Sequence, residues 1–417
     1  MKRNVNMIML QLGVCVISAG LIGLLGCSKV ESRSYDEQNQ MEDIIYFQNL
    51  ANRIYDSFYS PVTKAESRSI STVEALRDSA AFVINFRNGG FVIVLNNTKG
   101  TPVAVCENGH LSAAEEAAGS NLVLSSILDN LGRNFGGDVF HPTKDDSIST
   151  LIETHVVLDS TIVTPIIDVQ WHQKEPFNLF VPNGSAGCVP VAIAQAISVF
   201  SSPTTISLTY TNTPVSSVSL SWSDMKAPVH ALACFSFSSH NAQACAYCQQ
   251  CGYLLRQLGE LTSVHYESSG ASSSSYVDMS SPLSYLGYSC SFGTYSVPSV
   301  LSSLNSGYPT IIIGTTVDGI GHAYNADAYK KYTKTYDLFS DESGQLFFDS
   351  HNVESDTYLH LCYGQQLGLF NGYYLAQHTE YMAPHYGNPV YTENNTLRGK
   401  YWNNNLELNY NIHPINL

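Results

Sequence analysis

Residues 183–200 read NGSAGCVPVAIAQAISVF, and this stretch decides the fold because one cysteine joins a small-residue loop to an apolar helix. Apolar residues recur at every third or fourth position, which predicts a helix with one buried face. Pro190 falls in the first turn, where a missing N–H costs nothing. The Ser-Ser-Pro sequence at 201–203 predicts the end of the helix. Cys188 therefore lies at or just before a helix N-terminus.

The position of Cys188 allows two interpretations. Unpaired amides and the macrodipole at a helix N-terminus favour an anion, so a thiol there loses its proton more easily if a base or cation lies nearby. The small residues at 184–187 would also let a substrate backbone approach closely. A small cysteine buried for packing is the alternative. This stretch alone leaves both interpretations open.

The composition favours an exported, strand-rich protein. The chain has 417 residues, a net charge of −15, 13% charged residues and 26 tyrosines, which suits two folded domains rather than a disordered chain. The acidic charge is spread thinly, and Lys and Arg form no cluster. Nucleic acid is therefore excluded as a partner, because phosphate binding needs clustered basic residues.

The N-terminus has the pattern of an export signal. Two basic residues precede an apolar span over about residues 5–25, and the sequence Leu-Leu-Gly-Cys ends at Cys27. This resembles a bacterial lipoprotein signal, which implies a signal peptide over residues 1–26 and a lipidated Cys27. The polar residues 27–40 would form a tether to the membrane. An uncleaved membrane anchor is the alternative, and either interpretation places the rest of the chain outside the cytoplasm.

Eight cysteines remain after the signal region. Their even number permits disulfides in an exported protein, but their spacing is unlike that of a small disulfide scaffold. The sequence CAYCQQC at 245–251 suggests a metal site, yet it lies in a helix-forming segment and no fourth ligand completes it. We predict buried structural thiols there, and neither a metal site nor a cofactor.

Further along the chain, turn signals and periodicity divide it into two parts. An α+β unit is predicted over residues 41–155, with a hairpin around Asn88-Gly-Gly, and a second domain over residues 156–417. The first part also contains a predicted helix at 41–59, a strand at 101–106, a helix at 120–131 and a polar linker at 144–147. In the second, we predict a cysteine-striped helix at 241–259, a flexible serine-rich loop at 266–276, a helix at 300–304, a buried strand at 308–314 and a closing strand at 405–412.

His322 is the candidate base for Cys188. It lies between Gly321 and Ala323, just after the buried strand predicted at 308–314, where an imidazole could be held at the edge of a cleft. Thirteen histidines are present, so a Cys/His pair alone is a weak signal, and a structural or surface role stays open for His322. The same structural interpretation applies to His360.

The order of several motifs is more specific than any one of them. Trp171-x-Gln173, Gly187-Cys188 with a helix through Ala194-Gln195, and Gly321-His322-Ala323 occur in the order found in streptopain-type cysteine peptidases, which are papain-like enzymes exported by bacteria. Matches of the same kind occur at 222–225, 266–271, Pro309 and 371–374, and the hairpin near residue 89 is similar to the family's inhibitory propeptide.

This resemblance implies a fold and a set of roles. The fold would be α+β, a papain-like peptidase preceded by a small α+β propeptide domain. Cys188 would be the nucleophile and His322 its base and later acid. Gln173 would donate a side-chain N–H to the oxyanion, together with the backbone N–H of Cys188.

One segment departs from the family's pattern. The family has His-x-Asn-Trp-Gly-Trp, whereas this chain has His360-Leu-Cys362-Tyr363-Gly-Gln. A thiol is a weak hydrogen-bond partner, so Cys362 and Tyr363 would support the His322 imidazole less well than Asn and Trp. Losing such support lowers the rate without abolishing catalysis. A thiol near Cys188 could also serve as a disulfide or redox partner.

Together these observations predict a lipid-anchored cysteine endopeptidase zymogen. It would hydrolyse proteins or peptides, be inhibited by its own propeptide, and be activated by cleavage at 140–165. The anchor would hold it on the outer membrane, facing the periplasm or the cell surface, with release after processing. The alternatives are a weakened or inactive relative that binds peptides, and a transglutaminase-like acyltransferase. The latter would need an acidic third member, for which Asp327 is the near candidate, although a loop or edge position explains it more simply.

Overall fold

The computed structural model describes helices and strands in the following parts of the chain: residues 35–59, 68–76, 81–95, 102–117, 128, 149–158, 163–182, 184–211, 214–227, 245–315, 321–342, 345–365, 368, 370–378 and 406–415. No helix in these ranges is long and apolar enough to span a membrane. The predicted signal peptide, Cys27 and the linker at 144–147 lie outside them. So does the helix predicted at 120–131, apart from residue 128.

The N-terminal part consists of one long helix on a small antiparallel sheet. Its elements are α1 (Tyr35–Phe58), β1 (Ile70–Leu76), β2 (Ala81–Phe86), β3 (Phe91–Leu95), β4 (Pro102–Cys106) and α2 (Ala113–Ala117). Apolar residues of α1, such as Leu50, Ile54 and Phe58, pack on one face of this sheet. The tether predicted over 27–40 is wrong for its last six residues, which are helical.

The predicted hairpin is confirmed and connects β2 to β3. Gly89 and Gly90 both have positive φ values, 89° and 87°, which side-chain-bearing residues rarely adopt. A Cβ atom on Gly90 would lie 2.8 Å from the backbone oxygen of Cys106. Gly90 is therefore required by both its conformation and the close approach of the chain after β4.

The middle of the chain forms a helical half. Its elements are α3 (Cys188–Ser198), β6 (Thr205–Ser207), β7 (Ser217–Ser219), α4 (Trp222–Lys226), α5 (Ala246–Leu261), β8 (His265–Tyr266), β9 (Ser272–Ser273) and α6 (Ser280–Tyr285). Helix α3 is buried on nearly all sides, and α5 packs against it, with Cys248 and Cys251 buried in the same apolar cluster. The seven cysteines within the described ranges are all free, so the prediction of structural thiols on α5 is confirmed for these two.

The last part of the chain supplies most of a large sheet. Its elements are β10 (Tyr288–Thr294), α7 (Val297–Asn305), β11 (Thr310–Thr315), β12 (Gly321–Glu342), β13 (Gln345–Cys362), β14 (Gly372–His378) and β15 (Glu407–Pro414). The described strands pair in the order β1-β2-β3-β4-β14-β13-β12-β11-β15-β10, and β5 (Ser149–Leu158) pairs with β12. Helices and sheet together give the predicted α+β class.

The sheet of the N-terminal part is continuous with that of the last part. Strand β4 pairs antiparallel with β14, with Val105 opposite Tyr373. Tyr358 and Tyr373 also pack in the cluster beneath α1. Strand β5 crosses the predicted boundary between residues 155 and 156, so the backbone on both sides of it is bonded to β12. The N-terminal part is thus built onto the same sheet whose strand β12 carries His322.

The serine-rich segment at 266–276 differs from its prediction as a flexible loop. Strands β8 and β9 pair as a short hairpin, with Tyr266 opposite Ser272. The backbone N–H of Glu267 donates to the carbonyl of Ala271 at 2.9 Å. The positive φ of Gly270 (85°) makes the turn. Serine-rich composition is typical of loops, and the glycine that permits a tight turn outweighs it here.

Candidate active site

Cys188 is the first residue of α3, as the sequence predicts. The residue before it, Gly187, has a φ of 94°, a conformation that favours glycine. A Cβ atom there would lie 3.3 Å from Cδ of Pro190 and 3.5 Å from Oγ of Ser272. Glycine at 187 therefore lets the loop turn sharply into the helix, and it leaves the Cys188 side chain half-buried at the helix N-terminus.

The Cys188 thiol lies beside the imidazole of His322 and interacts with it. Burial raises the pKa of this thiol, but His322 lowers it, and backbone N–H groups of Ala323 and Val189 lower it further. The net result is a pKa below the ordinary value of a cysteine. The N–H of Val189 belongs to the first turn of α3, so the helix N-terminus contributes directly.

The His322 ring is held by Tyr363 rather than by the side chain at position 362. Its Nε2 lies 3.0 Å from the backbone oxygen of Tyr363. The two rings are 4.9 Å apart, and Tyr324 stacks on the Tyr363 ring at 5.3 Å. A carbonyl only accepts hydrogen bonds, so Nε2 carries a proton and Nδ1 is left for the Cys188 thiol. The His322 imidazole is therefore supported even though Cys362 and Tyr363 replace the Asn and Trp of the family's pattern.

Gln173 lies in the loop that runs beside the start of α3. Its backbone oxygen accepts the N–H of Ala186 at 2.8 Å, and its side-chain Oε1 accepts the Ser185 hydroxyl at 3.1 Å. Ser185 and Ala186 lead directly into Cys188, so the Gln173 amide is fixed relative to the thiol. Because Oε1 is bound in this way, the NH₂ group of Gln173 is the donor that a developing oxyanion requires.

A cleft adjoins Gln173 and contains small and polar side chains. It is lined by His172, Gln173, Lys174, Ser185, Gly270, Ala271, Ser272, Gly364 and Gln365. Burial lowers the pKa of His172 to about 4, so this ring is neutral at physiological pH. Its Nδ1 accepts the backbone N–H of Lys174 at 3.2 Å. His172 therefore shapes the cleft wall and holds the Gln173 loop.

Asp327, His360 and Cys362 form a separate buried cluster. The distance from His360 Nδ1 to Asp327 Oδ1 is 2.6 Å, and the other Asp327 oxygen accepts the N–H of Ile167 at 3.0 Å. Burial raises the pKa of the Cys362 thiol well above its ordinary value, and the nearby Asp327 carboxylate raises it further.

The cluster shows where Asp327 lies, and it bears on a metal site and on a redox role for Cys362. Asp327 is fully buried in β12 and is not at a loop or edge; it lies where the pairing with β13 is irregular, between residues 326 and 328. It pairs with His360 instead of serving His322. The three ligand-type atoms lie within 4.8 Å of one another, but His360 and Asp327 are bonded to each other, which fits a structural cluster better than a metal site. A protonated, buried Cys362 is also a poor redox partner.

The sequence of this region matches a known protein family. Residues 171–374 match the profile of the peptidase C10 family. Residues 171–374 belong to the peptidase C10 family. The C10 segment begins at the loop that carries Gln173 and ends on β14, so it includes Cys188, His322 and the segment around Tyr363. The chain thus carries a cysteine peptidase domain.

No curated protein matches the chain. A solved structure described as a prointerpain A fragment from Prevotella intermedia, with one cysteine replaced by alanine, is similar to it. The identity is 17%, the TM-score is 0.49, and the match covers 81% of this chain and 97% of that one.

Proposed function

We propose that this chain is a cysteine endopeptidase zymogen in which Cys188 is the nucleophile and His322 the general base and acid. The observation that carries the proposal is the placement of Cys188 as the first residue of α3 beside the His322 imidazole, which lowers the pKa of the thiol. A thiolate and an imidazolium held together are the reactive form that peptide hydrolysis by cysteine requires. Membership of the C10 family supports the same reaction class.

The geometry suggests how each group acts. The Cys188 thiolate attacks the substrate carbonyl carbon. The resulting oxyanion accepts hydrogen bonds from N–H groups of the Gln173 side chain and the Cys188 backbone. The His322 imidazolium gives its proton to the leaving amine as the C–N bond breaks, and the acyl group remains on Cys188 as a thioester. Water then attacks the thioester while His322 takes a proton from the water, and the carboxylic acid product leaves Cys188. Throughout, the Tyr363 carbonyl keeps Nε2 protonated, so that Nδ1 exchanges the proton.

The N-terminal part is proposed to act as an inhibitory propeptide. Its strand β4 extends the sheet of the peptidase domain through β14, and its helix α1 covers Tyr358 and Tyr373. An export signal and a lipid on Cys27 are proposed from the sequence pattern alone. Cleavage between about residues 140 and 165 would separate the two parts, and it would require β5 to remain with one of them.

A peptidyl probe that alkylates thiols tests the proposal. We expect labelling of the processed chain and hydrolysis of a protein substrate, and we expect both to be lost in Cys188→Ala and His322→Ala. Cys290→Ala is the matched control, because Cys290 is also half-buried but lies on β10. If a folded, processed chain is neither labelled nor active, the alternative of a peptide-binding relative replaces this proposal.

A further inference from the structure

Two buried amide side chains, Gln195 and Asn325, connect the three segments that carry the site residues. We propose that they are positioning residues, which hold the Cys188 thiol, the His322 imidazole and the Gln173 loop in a fixed arrangement. This inference rests on the proposed function, since it concerns the same site. Neither amide takes part in the reaction steps above, so the role is additional to them.

The hydrogen bonds form one continuous chain across the site. Asn325 Nδ2 on β12 donates to the carbonyl of Ala192 and to Oε1 of Gln195, both at 3.0 Å. Gln195 Nε2 on α3 donates to the carbonyl of Trp171 at 2.9 Å. Both amides are almost completely buried, at 0% and 1% exposure. In a dry environment such bonds are costly to leave unmade, so the connection resists displacement.

The orientation of both amides follows from their partners. The carbonyls of Trp171 and Ala192 only accept hydrogen bonds, so each must face an NH₂ group. If Gln195 points its NH₂ toward Trp171, its oxygen faces Asn325, which also requires the NH₂ of Asn325. Reversing either amide would place two acceptors against each other. Only one arrangement of the two amides therefore pairs a donor with an acceptor at all three contacts, and it leaves Oδ1 of Asn325 as a buried acceptor without a hydrogen bond.

The amides lie close to the groups that they would position. Asn325 is three residues beyond His322 on the same strand, and Ala192 is one helical turn beyond Cys188. Trp171 is two residues before Gln173. Helix and strand are stiff over such short distances, so movement at the amides would separate Cys188 from His322. The interaction between them would then weaken, and the pKa of the Cys188 thiol would rise.

Alkylation of Cys188 by iodoacetamide, followed by peptide-resolved mass spectrometry on the full chain, measures this directly. Asn325→Leu and Gln195→Met keep the side-chain size but remove the hydrogen bonds. We expect the pH midpoint of Cys188 alkylation to rise by about one unit, so that the rate at neutral pH falls about tenfold. If Asn325→Leu does not fold, Gln195→Met decides, because it keeps the bond from Asn325 to Ala192.

Matched buried amides elsewhere in the peptidase domain serve as controls. Asn409 binds the N–H of Met279 at 2.7 Å, and Gln257 binds the N–H of Thr209 at 2.8 Å. Asn409→Leu and Gln257→Met should destabilise the fold without moving the Cys188 midpoint. An unshifted midpoint in the folded Gln195 and Asn325 variants overturns the positioning role alone. An ordinary midpoint in the wild-type chain overturns the proposed function and this role with it.

Discussion

Lys330→Met should change how the stability of the full chain depends on pH. Lys330 lies on β12, is buried, and donates from Nζ to the carbonyls of Ser57 and Phe58 at the end of α1. It also lies 5.0 Å from the ring centre of Tyr373. A helix C-terminus attracts a cation, but burial dominates here and lowers the pKa of Lys330 from 10.5 to about 8.

The sign of the effect follows from proton binding. Because the folded-state pKa of Lys330 is below its unfolded value, the unfolded chain binds more protons between pH 8 and 10.5, and stability rises with pH over that window. The lowered pKa corresponds to roughly 3 kcal/mol. The methionine variant lacks this titration. The free energy of unfolding of the wild type minus that of Lys330→Met should therefore increase by about 3 kcal/mol across the window.

Urea unfolding of both proteins at several pH values measures this difference, and groups that titrate in both proteins cancel. Lys331→Met is the matched control, since alternate residues of a strand point to opposite faces. Lys331→Met keeps the Lys330 amine, so its stability should still rise with pH across the same window. Curves for wild type and Lys330→Met that stay parallel between pH 8 and 10.5 would refute the assignment of Lys330 as a buried amine at the C-terminal end of α1.

Two further substitutions test the support around the site. Cys362→Ser keeps a donor for Asp327, so peptide hydrolysis should stay close to that of the wild type, and a large loss would mean that Cys362 supports His322 directly. Gly364→Ala places a Cβ atom 3.0 Å from Val191 Cγ1 at a φ of 67°, which should lower stability by about 1–3 kcal/mol in thermal or urea unfolding. Gly307→Ala has a similar φ of 76° with nothing within 4 Å, so a smaller loss there separates the clash from backbone strain.

Local patterns predict much of this fold. The helix from Cys188, the hairpin at Gly89-Gly90 and the closing strand each depend on neighbours in sequence, and each is present. The pairing of β4 with β14 joins residues more than 260 positions apart, and no local pattern indicates it. The predicted domain boundary at 155/156 stays a prediction, because β5 runs through it.

The site shows a similar division. Cys188, His322 and Gln173 could be chosen from the order of their motifs, and the structure brings them together, while their roles remain proposals. The support for His322 could not be predicted, because a backbone carbonyl at Tyr363 is present whatever side chain stands there. The contacts of Asn325 with α3 could not be predicted from the sequence either. A polar residue three positions beyond His322 in an apolar strand was the available signal, but its partners lie on α3.

The central claim is that His322 activates Cys188, and competition between two cysteines within one chain tests it most directly. Cys188 and Cys290 are both half-buried, yet burial raises the pKa of Cys290 to about 12 while the pKa of Cys188 is lowered. With limiting iodoacetamide near neutral pH, we expect carboxamidomethylation at Cys188 far in excess of that at Cys290, and loss of this preference in His322→Ala. Equal modification of the two cysteines, or a preference that survives in His322→Ala, would contradict the account.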